Sequence, residues 1–99
     1  MKKALVIGAS SDIGLEVTRG LIKKNYYIYC TYFKNLNKIK TLHKNNLNKI
    51  EYIQLDLQNY KNVKNFVKKI KTKTRNIDVI ILGANNNSKR KKFNLLNFK

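Results

Sequence analysis

A doubly wound α/β domain built on a parallel sheet is predicted from three features of the sequence. Short apolar or β-branched runs alternate with amphipathic segments in the order β-α-β-α-β-α-β. Each intervening segment is long enough to hold a helix, as a crossover between parallel strands requires. A glycine-bounded turn, Gly8-Ala-Ser-Ser-Asp-Ile-Gly14, joins the first apolar run to the first amphipathic segment.

Residues 3–7 form a short, nearly continuous apolar run, as expected of a parallel strand covered on both faces. From Ile13 the apolar positions Ile13, Val17, Leu21 and Ile22 recur at helical spacing. Arg19, Lys23 and Lys24 fall on the wet side, and Asn25 serves as the stop. Residues 26–32, YYIYCTY, are aromatic and β-branched and give a second strand. A weaker helix is expected over residues 36–43, where Leu36, Ile39, Lys40 and His43 share a helical spacing before an Asn/Lys loop. Residues 50–57, IEYIQLDL, read as the third strand. The clearest helix follows, with Val63, Phe66, Val67 and Ile70 at i, i+3, i+4 and i+7 and Lys61, Lys64, Lys68, Lys69 and Lys71 around the rest. Residues 77–83, IDVIILG, form the fourth strand. Beyond it ANNNSKRKK is loop-like, and FNLLNFK begins a further helix. The expected strand order is 3-2-1-4.

Length and composition bound the function. The chain of 99 residues makes one domain at most. Lys and Arg total 22 against 5 Asp and Glu, a formal charge of +17 that draws phosphates, nucleic acid, anionic membrane or acidic partners at low salt. Lys, Asn and Ile are abundant along the whole chain without a single basic block, so the charge also reads as a composition-wide bias. One cysteine, Cys30, sits in an apolar run, forms no internal disulfide and fits a reducing compartment. The start, MKKALVIGAS, imitates a signal peptide, but Ser10, Ser11 and Asp12 end its apolar stretch early. No apolar run approaches membrane-spanning length, and a cytoplasmic location is expected.

The turn after the first strand suits a phosphate. A helix N-terminus offers unpaired N–H groups and partial positive charge, worth up to about 2 kcal/mol to an anion, and glycine lets it come close. With Ile7-Gly8-Ala9-Ser10-Ser11-Asp12-Ile13-Gly14 between strand and helix, the chain resembles the short-chain dehydrogenase/reductase family, especially its 3-oxoacyl carrier-protein reductase-like members. That family carries Thr-Gly-x-x-x-Gly-x-Gly here. Gly8 and Gly14 match, Ile7 stands for the threonine, and Asp12 stands for the middle glycine. The resemblance implies a Rossmann-like fold in which Gly8, Ser10, Ser11, Asp12, Ile13 and Gly14 bind the dinucleotide. It further implies that Asp56, followed by Leu57, accepts from the adenine amine. IDVIILGAN resembles the family's fourth strand running into Asn-Asn-Ala-Gly; aligned on Asp78, Ala84 matches, and Gly83 and Ala84 become cofactor-flanking candidates.

An NAD-specific fold places an acid about 20 residues beyond the glycines to bind the ribose hydroxyls. Here Thr31-Tyr32-Phe33-Lys34-Asn35 holds no acid, and Lys34 is able to meet a 2′-phosphate, so NADP is preferred over NAD. A solvated Lys34 is the other reading in so lysine-rich a chain.

The family's chemistry comes from a Ser and a Tyr-x-x-x-Lys pair in the second half of its fold, and the chain is expected to stop before that half. Tyr60-Lys-Asn-Val-Lys64 has the spacing, but with 6 tyrosines and so many lysines about one such match arises by chance. Tyr60 also starts the helix beside the adenine end, so no catalytic residue is assigned. His43 stands alone, without a Cys or second His for a metal. Lys89-Arg90-Lys91-Lys92 lacks alternating aromatics, which argues against nucleic acid. The expectation is a single incomplete NAD(P)-binding Rossmann-like domain over residues 1–99, truncated after the fourth strand. Val79, Ile80, Ile81 and Leu82 would lie at an open edge inviting another copy or a complementing chain. Three functions stay open: an NADP binder without turnover, a fragment active only with a complementing chain, and a basic nucleic-acid or polyanion binder.

Overall fold

The computed structural model describes residues 1–83. Strand and helix alternate as β1 (Lys3–Ile7), α1 (Asp12–Lys23), β2 (Tyr27–Tyr32), α2 (Asn37–Asn45), β3 (Ile50–Gln54), α3 (Tyr60–Lys73) and β4 (Val79–Leu82). All the pairings are parallel and the strand order is β3-β2-β1-β4, as the sequence predicts.

The nearly unbroken apolar run of β1 makes sense from the two layers that cover it. Leu5 and Ile7 pack on one face with Tyr29, Ile53, Val63, Phe66, Val67 and Ile70, so the apolar stripe of α3 closes that side. Ala4 and Val6 pack on the other with Leu21 of α1, Ile39 of α2, Ile28 and Cys30. Removing each such large side chain from water is worth about 1.5–3 kcal/mol. Burial pushes the Cys30 thiol up to about 12 despite a hydrogen bond with Thr18, so it stays protonated and inert.

Local chemistry sets the helix ends. Ser11 and Asn59 cap α1 and α3, their side chains accepting the N–H groups of Gly14 and Asn62. Asn25 ends α1 in the left-handed region at φ 67°, a conformation asparagine tolerates, and fills its expected role as the stop. Leu36, before α2, caps nothing with its side chain, and α2 runs from Asn37 to Asn45 rather than over 36–43.

Several expectations need correction. Ile13 does not join the inward stripe of α1; it is 64% exposed, and Gly14, Leu15, Thr18 and Leu21 are the buried positions. Gly14 sits hard against the preceding turn, which turns its neighbour Ile13 outward. Tyr26 lies outside β2 because its N–H returns to the Leu21 carbonyl. β3 stops at Gln54; Leu55 still donates to Tyr32, but the Asp56 N–H turns to the Asn62 side chain at 2.7 Å. β4 begins at Val79 and ends at Leu82. Ala84, Asn85, the basic run 89–92 and the expected helix after it lie outside the described residues.

Candidate dinucleotide site

In a parallel sheet the strands all end at one edge, and each candidate site residue follows a strand end. Gly8 follows β1, Lys34 follows β2, Asp56 follows β3 and Gly83 follows β4. The strand order reverses between β1 and β4, the place where open α/β sheets form a crevice for ligands.

The glycine turn is tied on three sides. Gly8 has φ 79°, favourable for glycine alone, and its N–H donates to the Thr31 hydroxyl at 2.9 Å. Ala9 donates to the Thr31 carbonyl at 2.8 Å, so the end of β2 grips two consecutive turn residues. The Ser11 hydroxyl lies 2.9 Å from both the Gly8 and the Gly83 carbonyl oxygens, its one proton serving the two, and accepts the Gly14 N–H at 2.9 Å. Gly83 in turn donates to the Ile7 carbonyl at 2.7 Å, fastening β4 to β1 beneath the turn. A Cβ on Gly14 would fall 2.4 Å from the Gly8 carbonyl oxygen and 2.7 Å from the Ala9 Cα. No other amino acid fits there without moving backbone.

This closure determines what the helix start can still bind. Gly14 N–H is held by Ser11 and Leu15 N–H by the Ser11 carbonyl, while among the described residues the N–H groups of Asp12 and Ile13 find no acceptor. Two free donors at a positive helix end suit a phosphate group. Ser10 is half-buried in the turn. The Asp12 side chain is 95% exposed, with Lys38 Nζ 3.4 Å from its Oδ1.

The other candidates lie apart from this knot. Lys34 is exposed with its ammonium 5.2 Å from the Phe33 ring centroid. Asp56 sits in its own turn: Oδ1 accepts the Gln58 N–H at 3.0 Å, leaving Oδ2 without a partner among the described residues. Leu57 is half-buried and packs against the α3 side of the core. Tyr60 is 71% exposed, and Lys64 Nζ stands 5.5 Å from its ring centroid, an arrangement that does not hydrogen-bond the phenol. His43 meets Tyr52 edge to face at 5.0 Å, and no cluster of metal-binding side chains exists among the described residues.

The sequence reading missed Thr31 and Lys38. A threonine closing an aromatic strand was the available signal for the first; for the second nothing in the spacing marks one lysine among so many. A cleft of about 780 Å³ lies at the opposite end of the sheet, lined by Lys2, Lys3, Lys73, Arg75 and Asp78 among others. It is separate from the glycine turn, because the start of β1 and the approach to β4 belong to the strands' beginnings.

Comparison with known proteins agrees with this fold. The family model described as short chain dehydrogenase matches residues 2–99. A solved structure described as a 3-oxoacyl-reductase from Bacillus thuringiensis is 23% identical with a TM-score of 0.74, over 100% of this chain and 41% of that one. A short-chain dehydrogenase from Streptomyces avermitilis is 20% identical with a TM-score of 0.73, over 80% of this chain and 29% of that one. ElxO, solved with NADP bound, is 28% identical with a TM-score of 0.67, over 80% of this chain and 33% of its own. The chain thus spans less than half the length of these proteins. A search of curated proteins by sequence gives no match. No helix among the described residues is long and apolar enough to cross a membrane.

Proposed function

The chain belongs to the short-chain dehydrogenase family, and from that premise we propose that residues 8–14 hold the pyrophosphate of a nicotinamide dinucleotide, NADP in preference to NAD. One observation carries the reading: Ser11 and Gly14 close the turn on itself and leave the Asp12 and Ile13 N–H groups unpaired at the start of α1. Lys34 would meet the 2′-phosphate, since residues 31–35 offer no acid to the ribose hydroxyls. Asp56 would accept from the adenine amine, with Leu57 beside it. Gly83 and Ala84 would flank the cofactor beyond β4.

When bound, the cofactor supplies or accepts a hydride, and for the whole protein we propose transfer between NADPH and a carbonyl. The described residues contribute binding and orientation to that reaction. Tyr60 and Lys64 take no part, being exposed and lacking a hydrogen bond to one another. The outer edge of β4 is proposed to pair with a further strand, from another copy or a complementing chain, because Leu82 is 51% exposed there. A cytoplasmic location fits the single buried thiol of Cys30.

The test is a titration of the 99-residue chain with NADPH and then NADH, followed by amide NMR. Shifts at Gly8, Ser11, Lys34 and Asp56, stronger for NADPH, are expected. Binding to random DNA with a steep salt slope and no response to NADPH would replace this reading by a polyanion binder.

A further inference from the structure

Asp12 stands where the family pattern has its middle glycine, at the first residue of α1. It carries one of the two unpaired N–H groups of the proposed phosphate site and adjoins the other, and a bare carboxylate there would repel an incoming pyrophosphate. The structure compensates it from elsewhere in the chain. Lys38, the second residue of α2, brings its Nζ within 3.4 Å of Asp12 Oδ1 across 26 residues of sequence. The other acid of α1, Glu16, is matched locally by Arg19 at i+3, so this helix needs nothing from α2 for its own sake. With side chains 60% and 95% exposed, the Lys38–Asp12 pair adds little to stability. Its effect is on the charge presented beside the turn.

We infer that Lys38 is a positioning residue for the dinucleotide: acting through Asp12, its ammonium cancels the carboxylate that this chain carries in place of the motif's middle glycine. The start of α1 thereby keeps its attraction for the cofactor's phosphates. This rests on the dinucleotide site proposed above and adds to it a residue outside the glycine turn.

The experiment is a double-mutant cycle on NADPH affinity at constant salt, using the 99-residue chain, Lys38→Gln, Asp12→Asn and the double variant, with Lys38→Arg as the conservative replacement. Lys38→Gln is expected to weaken binding about three- to fivefold, the range of an exposed ion pair. Asp12→Asn is expected to tighten binding by a similar factor and the double variant to bind as the parent does, since the two charges act on the phosphate in opposite senses; Lys38→Arg also binds as the parent does. Thermal midpoints stay together, since both side chains are exposed. Asp12→Asn leaving affinity unchanged overturns the inference, because no carboxylate would then need cancelling; no loss from Lys38→Gln also overturns it. Failure of the unsubstituted chain to bind dinucleotide removes the site, and the inference with it.

Discussion

The hydroxyl of Thr31, at the end of β2, accepts the Gly8 N–H at 2.9 Å, so the first glycine of the turn is held by a neighbouring strand rather than by its own helix. Thr31 is 2% exposed, so bulk solvent does not reach its hydroxyl. Thr31→Val keeps the shape and removes the acceptor, leaving the Gly8 N–H unpaired at a cost of about 1–3 kcal/mol. Denaturant unfolding should register that loss, and Thr31→Ser should restore most of it. Equal stability of the Val variant would mean that the remaining ties of the turn, through Ala9 and Ser11, hold it without this one.

Two glycines on α1 should respond oppositely to alanine. Gly14→Ala drives a Cβ into the Gly8 carbonyl, and forced backbone shifts of this kind cost about 1–3 kcal/mol. Dinucleotide binding should be lost with it. Gly20 has open space around it, so Gly20→Ala gains about 0.5–1 kcal/mol from helix propensity. Thermal midpoints moving in the same direction for both would contradict the packing described for Gly14.

The approach to α3's end predicts how stability varies with pH. Burial alone would raise the Glu51 carboxyl, but hydrogen bonds from Lys73 and Tyr27 and the charges of Lys73 and Lys69 outweigh it and hold the group below its ordinary 4.5. A depressed folded-state value means stability is fully present above 4.5 and is lost as pH falls through the lower folded value. Burial, then the bond to Glu51, pushes Tyr27 up to about 12. A raised value works in the other sense: its contribution is present below 10 and is lost as pH rises from 10 toward 12. Glu51→Gln should flatten the acid limb of a stability profile and Tyr27→Phe the alkaline limb. Limbs left unchanged by these substitutions would assign the pH dependence to other groups.

Lys34→Gln should lower NADPH affinity by about 1 kcal/mol, roughly fivefold, the upper end for an exposed charge, and leave NADH affinity unchanged. Isothermal titration with both cofactors gives the answer. A parallel loss for the two would place Lys34 away from the 2′-phosphate.

The architecture was readable in the sequence because each layer leaves its own periodicity. The unbroken run of β1 reflects cover on both faces, and the Val63, Phe66, Val67 and Ile70 stripe reflects cover on one. Ile13 was misassigned because an apolar residue in the first turn of a helix need not share its inward face, and here the contact of Gly14 with Gly8 decides which side is buried. β3 was read too long for a similar reason: Leu55 and Leu57 extend the apolar pattern, while Asn62 captures the Asp56 N–H from a distance that no local pattern records. The glycine positions of the site were legible as a motif. Thr31 and Lys38 were not, since their significance is a contact with a residue 23 or 26 positions away.

Ser11 and Gly83 meet across 72 residues. On a nascent chain the turn can emerge and its helix can coil early, yet the hydroxyl has only the Gly8 carbonyl to serve until β4 has left the ribosome and docked. Of the described elements, the one made latest thus ties the turn. Formation of the turn is thereby linked to docking of β4, and a dinucleotide held there as proposed would favour the docked state over the loose one.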